Sequence, residues 1–417
     1  MQYSQTFFNT NKKILVEDKK KLIKVHKKII KLIKNYELPC VSIVNENSDI
    51  KSINTASDKF KNYDHVLLIG TGGSSLGGKT LNSLRNNQFV GIMKPNIYFI
   101  ENVDPTPIIE LLNLINVKKT GFIVISKSGE TIETLSQFFL IYDFLKKRVN
   151  NISSKTLIIT ENKNSTLKKI QEKINADYLP HDNNIGGRFS IFSNVGLLPA
   201  RLSSLDIKKI RTGGQKTLKN LLNEKDIMKI KPVMGSIINY SLFKSGINQC
   251  VLMPYSDALY NFSLWFRQLW GESIGKKGLG STPINSIGTI DQHSQLQLYL
   301  DGPKNKIITI IGIDKLKGSP KLNTKISKNF VFETLEGKSM NSLLKAEENA
   351  TFDTLISNNI PTRKINLPVL NEINLGALLM HFFLETIYTC FLLDVDPFDQ
   401  PAVEEGKILT KKYLNNA

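Results

Sequence analysis

Hydrophobic residues recur at helical spacing along residues 14–36, with lysines between them. The apolar positions are Leu22, Val25, Ile29, Ile33 and Tyr36. A stripe of this period predicts an amphipathic helix, and we favour an N-terminal arm that lies on a larger body. The lysines leave a helix on a membrane surface as the alternative.

Further along, short apolar runs alternate with helix-length segments, which predicts parallel sheets joined by crossover helices. The strands predicted in the first half cover 66–69, 97–100, 122–125 and 157–160. After a lysine-rich helical stretch over 206–231, the pattern restarts with strands over 250–253 and 307–311. Because 417 residues exceed one ordinary core, we expect two α/β domains in tandem.

These patterns divide the chain into five segments. They are a helical arm over 1–40, a first α/β domain over 41–205, a connecting helix over 206–230, a second α/β domain over 231–395 and a tail over 396–417. No clear sequence repeat relates the two domains, so any kinship between them is structural.

The net charge of +18 raises the question of a polyanionic partner. Only seven of the 55 basic residues are Arg, and the lysines scatter without a dense tract or interleaved aromatic residues. Both features argue against specific nucleic-acid binding, because Arg is the usual reader of bases. The same charge would still draw small anions toward a cleft.

Three cysteines lie far apart in apolar surroundings, without a CxxC pair or a His at metal-ligand spacing. They are Cys40, Cys250 and Cys390. Residues 1–11 contain no apolar leader, and the nearest candidate for a membrane span, 375–393, is interrupted by His381 and Glu385. We therefore expect a cytoplasmic protein with no metal site and no membrane partner.

A glycine-rich segment over 70–78 directly follows the strand 66–69. Glycines there let backbone N–H groups approach an anion at a helix N-terminus. A dinucleotide-binding GxGxxG motif would require Gly at position 75, which is Ser75, and no GK[ST] follows at Walker spacing. The segment is therefore either an anion site or a plain tight turn.

A second loop, over 126–134, lies between the strand 122–125 and a helical run over 135–145. Its polar side chains are Ser126, Lys127, Ser128, Thr131 and Thr134. One hydroxyl would suffice to cap the helix, so the surplus favours phosphate binding. In an open α/β sheet, ligands also bind at this end of the strands.

Four further residues are candidates for acid–base or electrostatic roles. Paired glycines could project Arg188 from a turn, and Glu272 lies beside Trp270 at a helix end, where burial would raise the pKa of a carboxyl group. Among the histidines, His293 alone combines polar neighbours with a glycine-rich approach. Lys407 follows a helix start. Taken singly, a surface turn at Arg188 and solvated side chains at Glu272 and Lys407 are the commoner interpretations.

Taken together and in order, these segments resemble the glucose-6-phosphate isomerase family from about residue 66 to residue 407. GGRFS at 186–190 with VGLLP at 195–199 matches one family signature, and 399–407 resembles the other. The resemblance implies two sugar-isomerase (SIS) domains, each a parallel β-sheet flanked by helices, with an N-terminal helical arm and a C-terminal tail. It also implies cofactor-free interconversion of glucose 6-phosphate and fructose 6-phosphate, in glycolysis and gluconeogenesis.

The resemblance further implies a role for each candidate residue. The phosphate would contact Ser126, Lys127, Ser128 and Thr131, and the sugar would contact Gly73 and Ser74. Glu272 would transfer the proton, Arg188 would stabilise the enediolate, and His293 and Lys407 would open the sugar ring. Glu133 and Gln400 would line the site. Family members are dimers in which the histidine reaches the partner subunit's site.

Some residues differ from those that the family usually has at the same positions of its motifs. Glu130 brings a negative charge to the phosphate loop and is expected to point away from the phosphate; the other departures include Asp291, Ala402 and Glu405. Two alternatives stay open. One is isomerisation of another phosphosugar, such as mannose 6-phosphate. The other is a phosphosugar-binding protein without catalysis, which would not need Glu272, His293 and Lys407 together.

Overall fold

The computed structural model describes residues 2–10, 15–85, 94–316, 318–323 and 333–416. The strands are β1 Ser4–Phe8, β2 His65–Ile69, β3 Asn96–Ile100, β4 Thr120–Ile125, β5 Thr156–Thr160, β6 Asp177–Pro180, β7 Gln249–Pro254, β8 Thr282–Asn285, β9 Lys306–Lys315 and β10 Thr362–Val369. The helices are α1 Val16–Lys34, α2 Pro39–Ser42, α3 Ile50–Phe60, α4 Leu76–Asn82, α5 Pro105–Leu114, α6 Ile132–Lys146, α7 Thr166–Ile174, α8 Asn194–Leu202, α9 Ile207–Asn223, α10 Lys231–Lys244, α11 Tyr260–Ile274, α12 Ile290–Ser294, α13 Leu296–Asp301, α14 Met340–Ser357, α15 Glu372–Leu392 and α16 Glu404–Asn415.

The first sheet has the strand order β3-β2-β4-β5-β6, and all of its neighbouring strands are parallel. Strand β4 is buried at every position, as expected for a parallel strand that helices cover on both faces. Alternate residues of β2 and β4 enter two separate hydrophobic clusters, one shared with α5 and α6 and the other with α3 and α8. The crossover pattern predicted from the apolar runs is confirmed.

The second sheet has the order β1-β10-β9-β7-β8. Strands β10, β9, β7 and β8 are parallel, whereas β1 joins the edge antiparallel to β10, with Ser4 opposite Asn366. The N-terminal arm therefore contributes a strand as well as a helix. All six predicted strands are present, and the sequence patterns missed β1, β6, β8 and β10, three of which lie at sheet edges.

Helix α1 buries Leu22, Val25, Ile29 and Ile33, and it packs against α15 and α10. This confirms an arm laid on the protein body, since the predicted apolar stripe faces the protein and not a membrane surface. Tyr36 was wrongly placed on the apolar stripe. The helix ends at Lys34, and Tyr36 lies beyond it with a positive φ of 57° and 71% exposure.

Helix α15 is the centre of the hydrophobic core, where it contacts α1, α9, α10 and α11. It is long and apolar enough to cross a membrane, but 94% of its most apolar window is buried inside the protein, so it is a core helix. The three cysteines are buried and unpaired. Their burial confirms them as core residues, and it raises the pKa of each thiol to about 12.

The two ionisable residues that interrupt the apolar stretch of α15 belong to a buried polar network. Arg363 donates to the two carboxylate oxygens of Glu385 at 2.8 and 2.7 Å, and His381 Nε2 lies 2.8 Å from Glu385 Oε2. The hydroxyl of Tyr3 lies 2.8 Å from His381 Nδ1. The network thus connects the N-terminal arm to the core helix, and burial lowers the pKa of His381.

Candidate active site

The carboxyl edge of the first sheet brings three loops together. Gly70, after β2, donates its N–H to Ile100, and Ser126, after β4, donates to Ile159 at 3.0 Å. The N–H of Glu161, after β5, donates to the carbonyl of Lys127 at 3.1 Å. The glycine-rich segment and the predicted phosphate loop are therefore neighbours, as expected for the ends of parallel strands.

The loop over 126–134 is held by its own hydroxyl groups. The side-chain oxygens of Ser126 and Thr131 lie 2.9 Å apart, and the N–H of Gly129 donates to Ser126 Oγ at 3.2 Å. Gly129 has a φ of +71°, and a side chain there would meet Ser165 Oγ at 2.2 Å, so only glycine fits this turn. Thr134 Oγ1 is buried and has no hydrogen-bond partner among the described residues.

Glu130 points away from this loop, as expected. Its carboxylate accepts hydrogen bonds from the N–H of Thr166 at 2.6 Å and from the Thr166 hydroxyl at 2.8 Å. The bond from the backbone N–H is the main reason that the pKa of Glu130 lies below its usual value. The charge of Glu130 is therefore directed to the N-terminus of α7, where it is favourable.

Lys127 of the same loop has an acidic neighbour that sequence reasoning did not single out. Its Nζ lies 3.7 Å from Oε1 of Glu161, which is buried, while Lys163 pairs with the other carboxylate oxygen. Glu161 thus lies between two lysines directly behind the loop. Glu161 could have been found from the sequence by its position immediately after β5, because ligands bind at this edge of a parallel sheet.

Arg188 is buried, and all three nitrogens of its guanidinium group donate hydrogen bonds. Nε donates to Ser273 Oγ at 2.8 Å, and Nη1 donates to Glu272 Oε2 at 3.1 Å and to Gln400 Oε1 at 2.7 Å. Nη2 donates to the carbonyls of Pro397 at 2.6 Å and Asp399 at 3.0 Å. Burial lowers the pKa of Arg188, and the carboxylate of Glu272 opposes that shift. The surface turn considered for Arg188 is wrong.

Glu272 lies on α11 with its side chain 35% exposed. Burial against Trp270, the less common of the two interpretations considered for Glu272, is not observed, because residues two apart on a helix do not face each other. Trp270 is buried and donates its ring N–H to Ser281 Oγ at 3.1 Å. Glu272 instead faces Arg188 and stays open to a ligand.

Gln268 is a site residue that the sequence analysis did not list among its candidates. Its amide Nε2 donates to Glu272 Oε1 at 2.8 Å, while its own Oε1 is buried and has no partner within the described ranges. Gln268 could have been found from the sequence by its spacing from Glu272, because residues four apart on a helix share a face.

The turn that contains Gly73 rests directly on the backbone beside Arg188. A side chain on Gly73 would come within 2.2 Å of the carbonyl carbon of Gly187, so glycine is required for this approach. The hydroxyl of Ser190 donates to the carbonyl of Gly73 at 3.1 Å. The structure thus brings Gly73, Ser74, Arg188, Glu272 and Gln400 into one cluster, next to the predicted phosphate loop.

Apart from the predicted phosphate-binding residues, three predicted site residues lie outside this cluster in the single chain. His293 is exposed on α12, and Glu133 is exposed in the first turn of α6. Lys407 pairs with Glu404 at 2.6 Å on α16, and its side chain is 59% exposed. In the part of the chain that the structure describes, none of the three makes a hydrogen bond or ion pair to Arg188 or Glu272.

Two helix-flanked sheets with a hydroxyl-rich loop at one carboxyl edge define the class, which is the α/β fold of sugar-isomerase (SIS) domains. The family model described as phosphoglucose isomerase matches residues 42–417. The chain belongs to the phosphoglucose isomerase family.

Individual relatives agree with this assignment. A protein of Methanocaldococcus jannaschii named glucose-6-phosphate isomerase is 35% identical over 357 residues, which cover 84% of this chain and 85% of the relative. A protein of the same name from Carboxydothermus hydrogenoformans is 32% identical over 375 residues, covering 86% and 81%. The solved structure of a hypothetical protein from Thermus thermophilus is 26% identical with a TM-score of 0.86, covering 99% of this chain and all of that one.

Proposed function

We propose that this protein interconverts glucose 6-phosphate and fructose 6-phosphate in the cytoplasm, as a step of glycolysis and gluconeogenesis. The observation that carries the proposal is the contact of 3.1 Å between Glu272 and buried Arg188, beside the phosphate loop. The family match supplies the substrate, since its named members are glucose-6-phosphate isomerases.

Glu272 would act as the base of the isomerisation. A proton next to a carbonyl group is weakly acidic, so a positioned carboxylate must remove it while a fixed cation offsets the negative oxygen that develops. Arg188 lies within hydrogen-bond distance of Glu272 and is held in place by Ser273 and by the carbonyls of Pro397 and Asp399. Glu272 would then return the proton to the adjacent carbon of the cis-enediol.

The phosphate loop would hold the open-chain substrate in register. Its hydroxyls and Lys127 lie at the N-terminus of α6, where the helix dipole favours an anion. A phosphate fixed there lies remote from the reacting carbons, so its binding energy orients them against Glu272.

His293 and Lys407 would open the sugar ring, and we propose a homodimer in which His293 reaches the partner subunit's site. Supporting this, the apolar neighbours Ile290 and Leu298 are 60% and 57% exposed around His293. Lys407 follows the segment at residues 397–400, which Arg188 holds by three hydrogen bonds. The tail therefore starts at the site even though Lys407 itself points to solvent in the single chain.

A coupled assay of the purified protein with fructose 6-phosphate and glucose 6-phosphate tests the function directly. We expect turnover in both directions without added metal or nucleotide. No turnover of either sugar phosphate, from a folded dimer, would overturn the proposal. Mannose 6-phosphate in the same assay decides between the two epimers.

Replacing Lys127 by Met should raise the KM for fructose 6-phosphate about 10–100-fold with a smaller effect on kcat, because a hydrogen bond to a charged group contributes about 1.5–3 kcal/mol. Lys163 still pairs with Glu161 in this variant, so the buried carboxylate of Glu161 keeps a counter-charge. Steady-state kinetics give both constants. An equal loss of affinity for phosphorylated and unphosphorylated sugar ligands would contradict the phosphate role.

The shared site predicts complementation between two inactive variants. If His293 serves the partner, Glu272→Gln and His293→Ala homodimers are both impaired, while a mixed dimer has one site with both groups intact. After unfolding and refolding as an equal mixture, activity should recover to about a quarter of wild type, since half of the dimers are mixed. Each variant refolded alone is the control. No recovery from demonstrably mixed dimers would place His293 in its own subunit's site.

A further inference from the structure

A groove of about 980 Å³ lies on the protein surface between helix α1 and the segment 391–396 that follows the core helix. Its floor is apolar and includes Val25, Phe391 and Val395. One wall carries Lys20, Lys24 and Lys28. These lysines repeat every four residues, so they form one stripe along α1, with steps of about 6 Å between successive residues.

Two of the three acidic residues that line the groove have partners, and one of these partners is a cation. Asp394 Oδ2 accepts from Lys21 at 2.5 Å, and Asp396 Oδ1 accepts the N–H of Phe398 at 2.8 Å. Among the described residues, Lys20 and Lys24 make no ion pair, and Lys28 lies 4.1 Å from the ring centroid of Phe391. The groove therefore presents three lysines that have no ion-pair partner among the described residues. Opposite them lie the carboxylates of Glu17 and of Asp396, whose hydrogen bond to a backbone N–H leaves its charge in place.

A row of lysines about one helical turn apart, beside an apolar floor, is complementary to a short, linear, multiply charged anion. A single phosphate could engage only one or two of these lysines, whereas a chain of linked phosphates could engage all three at once. Release of counterions would add to the attraction, as it does along other polyanions. We propose that this groove is a second anion site, separate from the sugar-phosphate site, that binds a short oligophosphate.

The groove wall leads directly into the candidate active site. Lys276 pairs with Asp399 at 2.9 Å and also donates to the carbonyl of Asp396, while the next residue, Pro397, accepts from Arg188 at 2.6 Å. An anion that repositions the segment 394–396 would therefore act on the hydrogen bonds that hold Arg188. Binding in the groove should change the affinity of the active site, and by linkage the effect is reciprocal.

The experiment compares two triple variants that carry the same net charge. One changes the stripe, Lys20→Gln, Lys24→Gln and Lys28→Gln; the control changes Lys19→Gln, Lys27→Gln and Lys31→Gln, which are exposed on the same helix but do not line the groove. Calorimetric titration with tripolyphosphate is done with saturating fructose 6-phosphate present, so that the sugar-phosphate site is occupied. The readout does not depend on turnover, so it stands apart from the proposed isomerase function.

We expect saturable binding to wild type and to the control variant, with at least tenfold weaker binding to the stripe variant. Inorganic phosphate should bind far more weakly than tripolyphosphate. Equal weakening in both variants would mean simple attraction by net charge and would overturn the proposal, as would the absence of saturable binding to wild type. In the coupled assay, tripolyphosphate should shift the KM for fructose 6-phosphate at least twofold in wild type and not in the stripe variant. Binding with an unchanged KM would overturn the connection through residues 394–400.

Discussion

Replacement of Glu272 by Gln should reduce isomerase turnover by about 10²–10⁴-fold, the usual contribution of a positioned general base. The amide keeps the shape of the side chain and an oxygen that can accept from Arg188, but it cannot take up the substrate proton. Affinity for a sugar-phosphate analogue should change little, because the phosphate loop is untouched. Loss of exchange between the substrate C–H and solvent deuterium, followed by NMR, measures the proton transfer itself.

A matched control for this variant is Glu110→Gln, which makes the same chemical change on the exposed face of α5. It should retain wild-type turnover. If Glu272→Gln turned over like wild type, Glu272 would not be the base, and the cluster around Arg188 would need another proton acceptor. If the variant lost analogue binding as strongly as turnover, the residue would act in binding instead.

Replacement of Glu385 by Gln should lower the free energy of unfolding by about 3–5 kcal/mol, because it leaves the guanidinium group of Arg363 buried without a counter-charge. Glu385 is fully buried and also accepts from Asn239 at 2.9 Å. The matched control is Asp58→Asn, an acid-to-amide change in an exposed pair with Lys61 at 3.3 Å, which should cost less than about 1 kcal/mol. Urea denaturation of the three proteins gives the comparison.

The same network predicts how stability depends on pH. Burial acts to raise the pKa of Glu385, but Arg363 and His381 outweigh it and hold that pKa below its usual value. Burial also lowers the pKa of His381. In both cases the unfolded chain binds more protons than the folded protein, so stability falls as the pH drops below about 6.5.

The contributions of Glu385 and His381 to stability are lost in different pH ranges. The contribution of Glu385 is present in full above the carboxyl pKa of the unfolded chain, about 4.3, and is lost as the pH falls through the lower folded value. The stability difference between wild type and Glu385→Gln should therefore be constant near neutral pH and narrow below about pH 4.5. If the stability difference between wild type and Glu385→Gln were still the same at about pH 3, the lower stability of the variant would come from packing and not from charge.

The sheets illustrate what apolar patterns can predict. Strands β4 and β5 are buried on both faces, so each appears in the sequence as an apolar run, and this run predicted the strand. Strand β10 carries Arg363, Lys364 and Asn366, and these polar residues interrupt its apolar pattern. The pattern therefore did not predict a strand there, although Arg363 is buried. Only the position of Glu385 on the facing helix explains a charged side chain at that point.

The chemistry of the candidate site could be predicted from the sequence where one loop supplies all of the functional groups. The surplus of hydroxyls over 126–134 predicted a phosphate loop, and the structure places them at a helix N-terminus, on the sheet edge where ligands bind. The residues alone could not pair Arg188 with Glu272, because 84 positions separate them and Glu272 by itself is an ordinary helical acid. The family resemblance made that connection before the structure did.

The sequence by itself determined the alternation of strands and helices, the surplus of hydroxyl groups in the loop over 126–134 and the family, because each rests on local spacing or on motifs along the chain. Tertiary structure decided the antiparallel strand of the N-terminal arm, the buried network around Glu385, the part played by Gln268 and the groove beside α1. These features depend on which distant segments pack together, and long-range packing leaves no periodic trace in a single sequence. The same reason explains why His293 and Lys407 stay predictions, since one chain does not bring them to Arg188.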